Sequence, residues 1–391
     1  MTEIRPFEID IPRAVLDDLA ARLERTRWPD AETIRAHEGP PHDWNQGVPL
    51  GWAKDIRDYW LNEYDWPARQ AYYNGFPQFM TDIDGLDIHF IHRASPHPDA
   101  FPLVITHGWP GSVVEFHAII EPLTDPTNHG GAAEDAFHVV CPSLPGFGFS
   151  GHPQGTGWNI PKIADAWDEI MARLGYDRYF AQGGDWGTTV SNALAARHAG
   201  RCAGIHVNMP GGRPRKTPEN PTAEEKRALE RIQRRQGRGG GYGSQQSSRP
   251  QTLGYGLADS PMGQAAWILE KFFEWTDCQG VPENAISRDE LLDNVMFYWL
   301  TDSGTSSARI YWENAQSHLT GAYDEHAVEI NVPTGCSIFP EEMTPTPRIW
   351  AENRYPNIVY WNELDKGGHF AAFEQPELFV EELRKCFRVM R

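Results

Sequence analysis

The feature that most restricts this chain is Gly183-Gly184-Asp185-Trp186-Gly187, which follows the apolar run Tyr179-Phe180-Ala181 and precedes Thr188 to Ala199, a helical stretch. A strand, a turn open only to small residues and a helix make a nucleophile elbow, whose central residue is lifted above the end of a parallel sheet. Glycines flank that residue because the strained backbone leaves no room for a β-carbon. Here the lifted residue is an aspartate. A carboxylate in that position, in place of serine or cysteine, attacks carbon and leaves a covalent ester on the protein.

An elbow needs a sheet, and the chain supplies one. Between residues 102 and 208 the apolar runs Leu103-Val104-Ile105, Phe137-His138-Val139-Val140, Tyr179 to Gln182 and Gly204 to Val207 alternate with helical segments. That rhythm predicts a parallel α/β sheet. Residues 212–330 break it with a charged helix from Glu219 to Arg235, a Gly-rich loop, and helices through Trp267 to Trp275, Leu291 to Leu300 and Ser306 to Asn314. This reads as a helical lid inserted into an otherwise mostly parallel sheet. The rhythm resumes with Val332 to Phe339 and Ile358 to Trp361, and a last helix runs from Pro376 to about Val389.

Upstream, Phe7 to Ile11 reads as extended, and Val15, Leu16, Leu19 and Leu23 mark an amphipathic helix beginning near Pro12. Trp28 to Pro77 is rich in Trp, Pro and Gly, with one clear helix at Trp52 to Tyr64, and reads as an arm around a larger body. Phe79 to His92 alternates about Asp84-Gly85, a hairpin that begins the main sheet. The expected division is a meander at 1–95, a first core half at 96–211, the lid at 212–330 and a second core half at 331–391.

Charge and cysteine usage exclude several function classes. A net charge of −19 over 391 residues repels nucleic acid and anionic lipid. No apolar run is long enough for a signal segment or a membrane span, so the expected location is the cytoplasm. Five scattered cysteines without a C-x-x-C pair argue against a disulfide frame or a zinc site, and no dense ligand cluster suggests another metal. Fifteen tryptophans point to aromatic-lined cavities. Two lookalikes fall away. Gly146 to Gly151 satisfies G-x-G-x-x-G, but His152-Pro153 follows where a nucleotide fold needs a helix. Arg231 to Gly241 resembles an RNA-binding patch, yet it is short and lies in an acidic chain, and reads better as a solvated helix end.

The α/β-hydrolase fold orders its triad as nucleophile, acid, then histidine. His369, in Gly367-Gly368-His369-Phe370, falls on the loop between the last strand and the last helix. Glu341 and Glu342 follow the strand ending at Phe339-Pro340, with Glu363 and Asp365 nearer the histidine, and spacing does not choose among the four. His107-Gly108-Trp109-Pro110-Gly111 follows a strand where this fold takes one oxyanion-hole amide, here assigned to Trp109. The amide of Trp186 is the second. Two such donors stabilise the oxyanion formed when water attacks an aspartyl ester.

At these residues the chain resembles the α/β-hydrolase-fold epoxide hydrolases of the microsomal and fungal type, which carry an N-terminal meandering extension. The resemblance spans nearly the whole chain: Pro6-Phe7-Glu8-Ile9 through Arg25-Thr26-Arg27-Trp28-Pro29, His107-Gly108-Trp109-Pro110, Pro142 to Ser150, the elbow, Val332-Pro333-Thr334-Gly335, and Gly367 to Glu374. It implies Asp185 as nucleophile, His369 as the base for water and Glu342 as the acid orienting it. It also implies two lid tyrosines that bind substrate and donate to the epoxide oxygen. Tyr311, in Arg309-Ile310-Tyr311-Trp312, matches one; Tyr242 matches the other by its distance from Ser248-Arg249-Pro250, with Tyr255 as fallback. A phenol suits that role because an alkoxide leaving group needs a proton donor that stays neutral at working pH. The expected reaction opens an apolar, bulky or aromatic epoxide and hydrolyses the ester to a vicinal diol, with no cofactor; the family also admits a homodimer. Two alternatives are a haloalkane-type dehalogenase using the same Asp185, and a catalytically silent hydrolase fold used for binding.

Overall fold

The apolar runs form the strands of one nine-stranded sheet in a computed structural model that describes residues 3–33, 42–212, 218–234, 239–323 and 328–391. The strands are β1 (Ile4–Phe7), β2 (Gln78–Ile83), β3 (Leu86–Arg93), β4 (Phe101–Thr106), β5 (Phe137–Pro142), β6 (Tyr179–Gly183), β7 (Cys202–Val207), β8 (Thr334–Ile338) and β9 (Ile358–Glu363). Their order is β1-β2-β3-β5-β4-β6-β7-β8-β9. From β5 through β4 to β9 every pairing is parallel, and β1, β2 and β3 add an antiparallel edge. Helices cover the parallel part, so central strands are buried on both faces and read as unbroken apolar runs. β6 is buried along its whole length.

The β2–β3 turn is Asp84-Gly85, both at positive φ (53° and 80°), the two-residue geometry whose twist matches the flanking strands. One expectation shifts here. The extended N-terminal segment pairs at Ile4–Phe7 instead of Phe7 to Ile11, and it joins the sheet edge on β2. Four residues are too few for alternation to show.

Between β7 and β8 the described residues form the helices Ala223–Arg234, Gly241–Ser248, Pro250–Asp259, Pro261–Trp275, Arg288–Trp299 and Ser303–Thr320. The Gly-rich stretch is corrected: residues 235–238 lie outside the described residues, but Gly241 opens a helix instead of continuing a loop. The next helix was hidden by Gly254 and Gly256, poor helix formers. Packing explains the first of these, since a β-carbon at Gly254 would stand 2.3 Å from Thr305 Oγ1.

The N-terminal arm clasps this insertion. Its helices Leu50–Asn62 and Trp66–Tyr73 carry apolar faces inward, with Trp52, Ile56, Trp60, Trp66 and Tyr73 buried. Tyr64 and Tyr73 donate to the buried Asp293 at 2.7 Å each, Arg69 pairs with it, and Tyr59 reaches Asp289 at 2.8 Å. Pairing and hydrogen bonding meet the need of a carboxylate taken out of water. Among the described residues no helix is long and apolar enough to cross a membrane. The five cysteines are buried and unpaired.

Candidate active site

Four loops at the carboxyl ends of parallel strands converge on Asp185. The first is the elbow. Asp185 sits at φ 49°, ψ −127° between β6 and the helix Trp186–Arg197, a strained conformation for a residue with a side chain. It is tolerated because the neighbouring chain packs tightly: a β-carbon at Gly187 would lie 1.9 Å from Thr106 O. The carboxylate is thereby presented above the sheet, buried to 8% exposure.

The second loop follows β4. The Trp109 amide donates to Asp185 Oδ1 at 2.9 Å. The loop is fixed on both sides. His107 Nε2 accepts from the Leu144 amide at 3.1 Å, so its Nδ1 carries the proton and donates to Gly108 O at 2.9 Å. Burial pushes this imidazole down to about 4, which keeps it neutral and structural. From the insertion, Asn294 donates to Pro110 O at 2.8 Å and Tyr298 to Gly111 O at 2.7 Å. Trp186, the second expected amide, is the first residue of its helix, so its N–H has no intrahelical acceptor.

The third and fourth loops follow β8 and β9. His369 Nδ1 lies 2.9 and 3.1 Å from the two oxygens of Glu342, and His369 Nε2 lies 3.5 Å from Asp185 Oδ2. The geometry separates the four acid candidates. Glu341 turns outward to Arg231 at 2.8 Å, and Glu363 and Asp365 are exposed. Burial disfavours the imidazolium, but the Glu342 and Asp185 carboxylates outweigh it and push His369 up to about 10. Its amide donates to Trp275 O at 2.8 Å, tying the loop to the insertion.

Above Asp185 the insertion supplies aromatic rings. Tyr242 stacks on Trp109 with centroids 5.0 Å apart and 9° between planes. Tyr311 stands edge-on to Trp186 at 4.8 Å and to Trp109 at 5.9 Å. The Tyr242 and Tyr311 hydroxyls are in hydrogen-bond contact, and burial, then the neighbouring Tyr242 and Asp185, raise the Tyr311 phenol well above its ordinary value. Tyr311 therefore remains a neutral donor. Among the described residues the Trp186 indole N–H makes no hydrogen bond of good geometry, although the Tyr311 oxygen is its near neighbour. Tyr255 is 72% exposed and faces away.

Sequence reasoning missed three residues. Trp275 packs against His369 at 5.1 Å and Tyr242 at 5.2 Å. Lys271, buried between Glu270 and Glu274, places its ammonium 5.0 Å from the centre of the Tyr242 ring. Glu115 lines the pocket beside Asp185 and His369. Its one sequence signal is a charge inside the apolar run Val113-Val114-Glu115-Phe116.

A mostly parallel sheet, an Asp elbow and a Glu–His pair at its carboxyl end define an α/β hydrolase. Residues 4–116 match the family described as Epoxide hydrolase N terminus, and residues 102–242 match the alpha/beta hydrolase fold. The chain is 54% identical to the "Putative epoxide hydrolase" of Stigmatella aurantiaca (strain DW4/3-1), over 99% of this chain and 86% of that one. It is 38% identical to epoxide hydrolase 1 of Sus scrofa, over 98% and 88%. The solved structure of Aspergillus niger epoxide hydrolase superposes with a TM-score of 0.86 at 32% identity, covering 100% of this chain and 97% of that one. The chain belongs to the epoxide hydrolase family.

Proposed function

We propose that this enzyme converts an apolar, aromatic-sized epoxide to a vicinal diol through an ester on Asp185. The observation that carries the reading is the placement of His369 between Glu342 and Asp185, with the Trp109 amide on one Asp185 oxygen and two phenols above. In the first step Asp185 Oδ2 bonds to an epoxide carbon as the ring C–O bond breaks. The departing alkoxide takes a proton from Tyr242 or Tyr311, and the phenolate left behind regains one from solvent as His369 gives its proton up on esterification. The surrounding rings of Trp109, Trp186 and Trp275 suit an apolar substrate.

In the second step water bonds to the Asp185 carboxyl carbon and passes a proton to His369 Nε2. The oxyanion rests on the Trp109 and Trp186 amides, and its collapse breaks the bond from the carboxyl carbon to Oδ2; the departing diol oxygen takes the proton of the newly added hydroxyl, which restores the Asp185 carboxylate. Esterification removes one of the two anions that hold His369 protonated, so the imidazole turns toward its basic form when a base is needed. The pair of phenols favours an oxygen leaving group over a halide. A single turnover in heavy-oxygen water should leave the diol unlabelled and put the label in the Asp185 peptide. Label appearing in the diol on that first turnover would overturn the two-step scheme.

A further inference from the structure

One buried acid is used by none of these steps. Glu115 Oε1 is buried and has no hydrogen-bond partner among the described residues. The Ser112 backbone amide acts on the carboxyl, but a buried carboxyl oxygen left without a partner is costly, so a native protein keeps one where it serves a ligand or a reaction. The chain makes room for it, since a β-carbon at Gly111 would stand 1.5 Å from that oxygen. Glu115 faces a cavity of about 20 Å³ together with Gln182, Asp185 and His369. Gln182 Oε1 is a second buried oxygen without a partner among the described residues, its orientation set by Nε2 donating to Asn208 at 3.1 Å. A space of that size holds one water, which needs two to four polar partners. Neither Tyr242 nor Tyr311 lines it.

We propose that Glu115 is a positioning residue that, with Gln182, holds the hydrolytic water against the Asp185 ester, on the sheet side of the elbow. The assignment rests on the two-step reading above. A neutral Glu115 carboxyl donates to the water oxygen. The water then donates one proton to Gln182 Oε1 and the other to His369 Nε2, leaving a lone pair for the Asp185 carboxyl carbon. Burial pushes Glu115 up to about 8, with the His369 cation opposing and the Asp185 anion adding to the rise, so the carboxyl is mostly protonated at neutral pH.

The test separates the half-reactions by rapid quench and intact-protein mass. Glu115→Leu should form the ester at the parent rate and hydrolyse it about 10²-fold more slowly, as expected for a misplaced reactant, so the ester accumulates in the steady state. Glu115→Gln retains a neutral donor and should restore most of the hydrolysis rate. Should Glu115→Leu fail to fold, Gln182→Met removes the second partner and should accumulate the ester too. Hydrolysis at the parent rate in Glu115→Leu, equal slowing of both steps, or a Gln variant as slow as the Leu variant would each overturn the assignment. Absence of any ester in the parent would instead overturn the two-step reading itself.

Discussion

The two sides of Asp185 are built from different materials. Toward the insertion, Tyr242, Tyr311, Trp109, Trp186 and Trp275 form a cluster of rings whose polar tips are hydroxyl and indole groups. Toward the sheet, Glu115, Gln182 and His369 surround a cavity the size of one water. The first side suits a charge that appears on a departing alkoxide, and the second suits a charge that appears on the carboxyl carbon's own oxygen. They differ in support as well. Tyr242, Tyr311 and Trp275 ride on helices of the insertion, which the N-terminal arm fastens through Asp293, whereas Gln182, Glu115 and His369 come from β6 and the loops after β4 and β9, the last two of which also bond to the insertion. Under the proposed scheme one carboxylate serves two successive reactions, each facing its own half of the pocket.

The largest expected effect lies on the water side. His369→Gln should still open the epoxide once but leave the ester in place, a loss in hydrolysis on the order of 10²–10⁴-fold for a missing base. Intact-protein mass spectrometry should show an adduct of substrate mass that disappears when Asp185→Ala is added; no adduct, with ester formation seen in the parent, would move the base elsewhere. Next comes the ring side. Tyr311→Phe and Tyr242→Phe should each slow ester formation by roughly 2–4 kcal/mol of barrier while leaving hydrolysis of preformed ester nearly intact. Tyr255→Phe, at an exposed position, should change neither rate in the same stopped-flow measurement. A damaging Tyr255 change with a silent Tyr242 change would erase the contrast. The smallest effect concerns the fastening. Tyr73→Phe removes one of the hydroxyls on Asp293 and should cost about 1 kcal/mol in denaturant unfolding. If the ring side alone depends on the arm, ester formation should weaken more than hydrolysis.

Sequence made the parallel core readable because its signals are local. Strand runs, the elbow glycines and the loop bearing His369 each sit within a few residues of the feature that explains them. What it hid depends on contacts between distant segments. Spacing could not separate Glu342 from Glu341, a choice that the resemblance alone made; in the structure Glu342 meets His369, while Arg231, 110 residues away in sequence, bonds to Glu341. The helix carrying Tyr242 was masked by glycines beside it, and β1 exists because β2 offers it a partner. Glu115 looked like one acidic residue among many, and only the orphaned oxygen beside His369 distinguishes it.

The hydrogen bond from the Trp109 amide to Asp185 Oδ1 makes the two oxygens of one carboxylate unequal. Under the proposed scheme the tethered oxygen is a permanent fixture, while its twin departs with the product and is renewed from solvent. Each diol thus carries away an atom installed during the preceding cycle. The protein is in this sense a reagent that is consumed and repaired once per turnover, with a single backbone amide deciding which half of the group is spent.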